Sequence, residues 1–290
     1  MDKPKITQAM IDAYDEYTHL TLDRRDFMNK LRTLAGSTAA AAAIAPLIGA
    51  SSARAEMVAP EDDRLETATI TYRGAPGDIT GYIAKPVGKS DLPAVIVIHE
   101  NRGLNKHIQD VTRRLALEGF LAMAPDLLSP SGGTPDDQDR AREMISELSP
   151  DITGSNLVAA LGYLARHQSS NGNVGAIGFC WGGGQVNRLA VLAPDLKAGV
   201  AYYGAQVPAE DVPRIKASLL LHYAGLDERI NKGIDAYKAA LEADGKDFEI
   251  FVYEGVNHAF NNDTSAARYD KKAADLAWER SVKFFKDKLA

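Results

Sequence analysis

The sequence predicts an α/β protein, with a mostly parallel central sheet of about eight strands flanked by helices. Three observations carry that prediction. Strand-like and helix-like segments alternate from residue 65 onward. The later strand segments, such as AVIVI and SLLLHY, are near-continuous apolar runs, as expected of strands buried on both faces. The 290 residues are 45% apolar and 25% charged, enough apolar content to fill a sizeable core.

The first 55 residues read differently from the rest. LDRRDFMNK (22–30) carries paired arginines with Phe27 two positions beyond them. LAGSTAAAAAIAPLIGASSARA (34–55) is small and mildly apolar, and it ends in Ala53-Arg54-Ala55, an A-x-A cleavage pattern. Residues 1–55 are therefore expected to be a twin-arginine export leader, which would deliver the folded chain to the periplasm. MDKPKITQAMIDAYDEYTHLT is long and charged for such a leader, and acidic residues flank the arginine pair. The alternative is a retained helical arm with an Ala-rich linker on a cytoplasmic protein.

Residues 56–290 are expected to form one catalytic-type domain. LETATITYR and ITGYIAKP show partial alternation and are joined by GAPGD, so they read as a hairpin. Six more strand candidates follow: PAVIVIHE, FLAMAPDL, NVGAIGFC, AGVAYYG, SLLLHYAG and FEIFVYEG. In NKHIQDVTRRLALEGF, Ile108, Val111, Leu115 and Phe120 recur at near-helical spacing. DDQDRAREMISEL, GSNLVAALGYLARHQ, GGQVNRLAVLAP, KGIDAYKAALEADG and DKKAADLAWERSVKFFKDKL read likewise, and Gly119 and Gly245 stand where helices stop. DLLSPSGGTPDDQD (126–139) reads as a loop at the carboxyl edge of the sheet.

A formal charge of −6 argues against nucleic-acid binding, which needs a basic face. No window has the roughly 18 charge-free apolar residues that a membrane span requires. The single cysteine, Cys180, forbids an internal disulfide. HENRGLNKH lacks H-E-x-x-H, and GFCWGGG has no following G-K-[ST], so no metal or cofactor is expected.

Open α/β sheets place their sites at the carboxyl ends of strands. There the sequence puts Glu100 after AVIVIH, Cys180 after GAIGF, Asp227 after SLLLHYAGL and His258 after FEIFVYEGVN. The order Cys180, Asp227, His258 is the nucleophile–acid–histidine order of the α/β-hydrolase pattern, with the nucleophile on a strand–turn–helix elbow. Gly178 and Gly182 remove side chains that would clash in that turn. The backbone N–H groups of Trp181 and Asn101 are the expected oxyanion donors. Trp181 and Phe260, beside the nucleophile and the histidine, are assigned to the substrate pocket. His222, inside an apolar strand, and His99 are read as structural.

HENRGL, SNGNVGAIGFCWGGG, YYG, AGLDERI and YEGVNHAF together resemble the dienelactone hydrolase (carboxymethylenebutenolidase) family over residues 65–290, in an exported-looking HENRGLN-type branch. The resemblance implies a Cys180-His258-Asp227 triad that opens a lactone or small ester through a thioester. It also implies that Glu100 contacts the thiol and takes part in its activation. A free thiol has a pKa near ~8.5, so some neighbouring base must generate the thiolate. The family holds its substrate carboxylate between two arginines. Arg142, in DRAREM, takes the first place, whereas the second falls on Asn262. Arg102, Arg229 and Arg268 are nearby candidates to compensate. The expected partner is a small-molecule ester or lactone. A broader esterase or acyltransferase, a peptidase, a hydrolase-fold ligand-binding protein without turnover, and an N-terminally anchored interaction protein stay open. Oligomeric state is not legible.

Overall fold

Two long strands lead the sheet. β1 (Leu65–Gly74) and β2 (Gly77–Pro86) pair antiparallel, with Leu65 opposite Pro86 and Gly74 opposite Gly77. This is the hairpin expected around GAPGD. The computed structural model describes residues 5–19, 22–49 and 56–290. After the hairpin come β3 (Leu92–Ile98), β4 (Leu121–Pro125), β5 (Ser170–Phe179), β6 (Ala198–Tyr202), β7 (Ser218–Ala224) and β8 (Phe248–Tyr253). The spatial order is β1-β2-β4-β3-β5-β6-β7-β8. The β2–β4 pair is antiparallel, and every pair from β4–β3 to β7–β8 is parallel.

The central strands are buried on both sides because helices cover both faces. One face carries α4 (Lys106–Leu117) and α10 (Lys271–Leu289), whose Ile108, Val111, Leu115 and Phe285 pack on Val95, Val97 and Ile177. The other carries α6 (Pro150–Ala165), α7 (Trp181–Leu192) and α9 (Ile234–Ala243), whose Leu157, Leu164, Val186, Leu189 and Leu241 meet Ala94, Ile96, Ala176 and Leu219. Alternate residues of a single strand therefore feed two separate cores, which is why AVIVI has no polar face. His222 lies in β7 with no exposure, its ring nitrogens bonded to Tyr253 Oη at 3.0 Å and Ser281 Oγ at 3.1 Å. Burial pushes its pKa down to about 3, so it stays neutral at physiological pH.

Shorter elements trim the sheet's carboxyl edge. The expected loop at 126–139 includes a 3-10 turn at Ser129–Ser131 and leads into α5 (Gln138–Ser146), capped by Asp137. α8 (Glu228–Asn231) is too short for periodicity to reveal, and the Asp227 side chain caps it by accepting from Ile230 N at 3.2 Å.

The N-terminal segment is folded. α1 (Gln8–Thr18), α2 (Arg24–Ala35) and α3 (Thr38–Ile48) enclose a small core of Met10, Tyr14, Tyr17, Phe27, Leu31, Ile44 and Ile48. Phe27 stacks on Tyr17 at 4.8 Å between ring centroids. Asp23 and Ser37 cap α2 and α3, and Gly36 closes α2 in the left-handed region. Among the described residues no single helix is long and apolar enough to cross a membrane. α2 and α3 together pass that test by length and composition, but the chain bends 112° between them. The expected cleavage pattern at Ala53-Arg54-Ala55 lies outside the described residues.

Candidate active site

The site grows from a strained turn between β5 and α7. Cys180 has φ 56° and ψ −117°, a conformation that costs a non-glycine residue on the order of 1–3 kcal/mol. Its neighbours hold it there. Cys180 N donates to Tyr202 O at 3.0 Å, and its carbonyl accepts from Gly184 N at 3.2 Å. A Cβ on Gly178 would fall 2.2 Å from Gly182 O, and one on Gly182 would fall 2.4 Å from Ile98 O. The elbow can form only because both positions lack a side chain. It leaves the sulfur half-buried at the mouth of a cleft lined by Trp181, Gln185, Arg188, Tyr203 and Arg229, with the N-terminus of a 12-residue helix beneath it.

Parallel neighbours bring the other groups to the same edge. Asp227 follows β7 and His258 follows β8, both almost fully buried. His258 Nδ1 lies 2.5 Å from Asp227 Oδ2, so the carboxylate fixes the ring's tautomer and orientation. His258 Nε2 is buried without a hydrogen-bond partner among the described residues. A ring nitrogen of His258 lies within 4.8 Å of the Cys180 sulfur. Burial by itself would raise the thiol's pKa, but the positive charge of His258 first, and then the hydrogen bond and charge of His19, oppose it and bring it down to about 6. Burial would likewise lower the pKa of His258, yet the Cys180, Asp15 and Asp227 charges hold it well above the usual imidazole range. Both shifts favour a thiolate–imidazolium pair.

That pair has a pH signature. A lowered thiol pKa leaves the reactive thiolate present above about pH 6 and lost as the pH falls through that value. The alkylation rate of Cys180 by iodoacetamide should therefore rise through a midpoint near pH 6, well before the ~8.5 of a free thiol. A midpoint at the free-thiol value would show that no such pair exists.

Glu100, after β3, is buried, and its Oε2 accepts from Asn262 Nδ2 at 2.8 Å. It shares a small enclosed space with Cys180, His258 and Asn262. No hydrogen bond joins it to the thiol among the described residues. Asn262 is thus committed within the protein, since its Oδ1 also accepts from Thr264 N at 3.0 Å. Phe260 corrects a sequence expectation. Its ring is wholly buried beside those of Tyr202, Tyr203 and Tyr253, so it supports the site from behind and cannot line a substrate pocket. The left-handed backbone at Ala259 (φ 65°) turns the chain so that His258 and Phe260 face different surroundings. Trp181 reaches the cleft and stacks on His99 at 5.4 Å; His99 is itself fully buried.

The residues missed by sequence reasoning come from α1. His19 Nε2 lies 3.6 Å from Cys180 Sγ and 2.7 Å from Arg229 Nη2, and its Nδ1 lies 2.7 Å from Asp15 O. Arg142 Nη1 donates to Tyr17 O at 2.9 Å, with its guanidinium 4.0 Å from the Tyr17 ring centroid. Asn101 Nδ2 donates to Thr18 O at 2.7 Å, and Arg268 Nη1 lies 3.4 Å from Asp15 Oδ1. The signal was present in YDEYTH, the charged and aromatic stretch that fits an export leader poorly. Ligand atoms of His19, Cys180 and His258 lie within 4.8 Å of one another, a spacing a metal ion could use. The Arg229 guanidinium can only donate, so at 2.7 Å it occupies the lone pair that His19 would need for that role.

A family model described as "Dienelactone hydrolase family" matches residues 79–289. A protein of Escherichia coli O157:H7 described as "Putative carboxymethylenebutenolidase" is 34% identical over 247 residues, covering 79% of this chain and 90% of its own length. A protein of Salmonella typhi with the same description is 35% identical over 224 residues, covering 72% of this chain and 82% of its own. Among solved structures, a "Putative Dienelactone Hydrolase" from Klebsiella pneumoniae subsp. pneumoniae is similar with a TM-score of 0.71 and 30% identity, over 77% of this chain and 98% of that one.

Proposed function

The chain belongs to the dienelactone hydrolase family, and from that premise we propose that it cleaves a lactone or small carboxylic ester through a thioester on Cys180. The observation that carries this reading is the half-buried sulfur on a strained elbow, beside a histidine whose Nδ1 is held 2.5 Å from a buried carboxylate.

The thiolate attacks the carbonyl carbon, and the electron pair displaced onto oxygen is met by the N–H groups of Trp181 and Asn101. Collapse expels the alkoxide, which takes the Nε2 proton of the His258 imidazolium. The same nitrogen, now neutral, removes a proton from water as that water attacks the thioester. Collapse of the second tetrahedral intermediate releases the carboxylic acid and restores the thiolate and the imidazolium. Because the pair is charged before substrate arrives, no further base is needed to start the reaction. Glu100 acts through its neighbour: its bond to Asn262 fixes that amide beside the site. Asp227 holds Nδ1, so that Nε2 is always the nitrogen presented to substrate.

A panel of lactones, aryl esters and short peptides tests the reading, with intact-protein mass measured during turnover. Hydrolysis of the first two classes with a transient acyl adduct on Cys180 is expected. Peptide cleavage alone, or turnover with no adduct on the cysteine after rapid acid quench, would overturn it.

A further inference from the structure

The last turn of α1 has carbonyl oxygens to satisfy and no basic residue of its own with which to do so. A helix carboxyl end carries partial negative charge and needs donors. Here the donors come from the site. Arg142 and Asn101 bond the carbonyls of Tyr17 and Thr18, at 2.9 and 2.7 Å. Arg268 meets the Asp15 carboxylate, Arg102 Nη2 donates to Tyr14 Oη at 2.6 Å, and Arg229 meets His19. Four arginines are therefore engaged by the same helix end, and three of them, Arg102, Arg229 and Arg268, line the hollows that hold Cys180. Such a group would repel itself unless an anion or a row of carbonyl oxygens lay among it.

Sterics point the same way. A substrate carbonyl carbon must approach the sulfur to about 3–3.5 Å before it can react. The His19 ring already stands at 3.6 Å from Sγ and lies edge-on to His258, with 5.0 Å between ring centroids. Ring and substrate cannot share that space. The segment is also built to leave as a unit. α1, α2 and α3 bury their own apolar side chains; among apolar side chains from the rest of the described chain only Ala267 packs on that core, while the guanidinium groups of Arg142 and Arg268 lie over its Tyr17 and Tyr14 rings at 4.0 and 4.9 Å. Its other contacts are polar, such as Gln8 with Asn257, Arg24 with Asp139 and Ile48 O with Ser265.

We propose that the N-terminal segment, described over residues 5–19 and 22–49, is an intramolecular competitor of substrate, whose α1 carboxyl end occupies the arginine-lined mouth of the site and must withdraw before Cys180 can be acylated. The arginine lining is thus an interaction surface fitted to an acidic, carbonyl-presenting partner. In the closed state that partner is the chain's own helix, and in the open state it is the substrate. This rests on reading Cys180 as the nucleophile, and the test separates the two claims.

Two full-length variants change only the N-terminal segment. Asp15→Ala with His19→Ala removes the contacts to Arg268, Arg229 and Cys180. Phe27→Asp breaks the stack with Tyr17 inside the three-helix core, without touching the site. For each, alkylation of Cys180 by iodoacetamide at pH 7 and hydrolysis of an aryl ester are measured, with a thermal melt as control for the sheet domain. If the closed state dominates, both rates rise by about tenfold or more. Faster alkylation without ester turnover in any form keeps the competitor and removes the hydrolase reading. Unchanged or slower alkylation in both variants overturns the competitor, as does faster alkylation with slower turnover, which would make His19 a working member of the site.

Discussion

Cys180→Ala is expected to lower kcat for the preferred ester by about 10⁴-fold or more, leaving only what the oxyanion donors and binding supply. The thermal midpoint should barely move. The substitution removes one sulfur from a half-buried position, and alanine's backbone can donate to Tyr202 O and accept from Gly184 N as cysteine's does. Loss of activity without loss of fold separates chemistry from packing, which is the ambiguity a lone cysteine always carries. Cys180→Ser sharpens the result. A hydroxyl does not ionise beside His258 as the thiol does, so the variant lacks the preformed anionic nucleophile and should stay at least about 10³-fold below wild type. A serine variant within tenfold of wild type would mean that the preformed thiolate is not what drives the reaction. An alanine variant with full activity would remove Cys180 from the mechanism altogether.

The sheet was legible because its signals are local. AVIVI and SLLLHY announce strands buried on both faces, and GAPGD announces the hairpin that begins the sheet. The elbow was equally legible, since a tight strand–turn–helix leaves no room for a Cβ at Gly178 or Gly182, where one would fall 2.2 and 2.4 Å from backbone oxygens. Chain order placed Asp227 and His258 at neighbouring strand ends, as parallel topology demands. Phe260 failed for a reason of direction: proximity in sequence to His258 says nothing about which way a side chain points after a left-handed residue such as Ala259. Asn262 and Glu100 lie beside Cys180 and His258, but their mutual bond was not legible, because a bond between residues 162 positions apart has no signature in either stretch. His19 was missed most completely. YDEYTH marks a charged, aromatic stretch, but nothing in it says where the helix will dock. Its tyrosines and acidic residues gain meaning only beside Arg102, Arg142, Arg229 and Arg268.

Asp227→Asn is the counterpart test at the other end of the triad, and a fall in kcat of about 10⁴-fold is expected. The carboxylate and the ring are both nearly fully buried, and Oδ2 accepts from Nδ1 at 2.5 Å. An amide placed there can offer its NH₂ group to Nδ1, which drives the proton to Nε2 in the neutral ring and removes the charge that the leaving alkoxide needs. Fold is spared, because the second oxygen's work, accepting from Ile230 N to cap α8, is within the reach of asparagine. The decisive readout is the pH dependence of Cys180 alkylation. The imidazolium is the main influence holding the thiol near 6 against burial. When Asp227 no longer stabilises that charge, the folded pKa of the thiol should climb toward or beyond ~8.5, and the reactive form should be lost at neutral pH. A merely structural carboxylate predicts the opposite pattern: a lower melting point, an unmoved alkylation midpoint and a small change in kcat. If the midpoint stays near 6 in Asp227→Asn while activity collapses, then Asp227 orients the ring without sustaining its charge, and the thiolate must owe its stability to other groups around the sulfur.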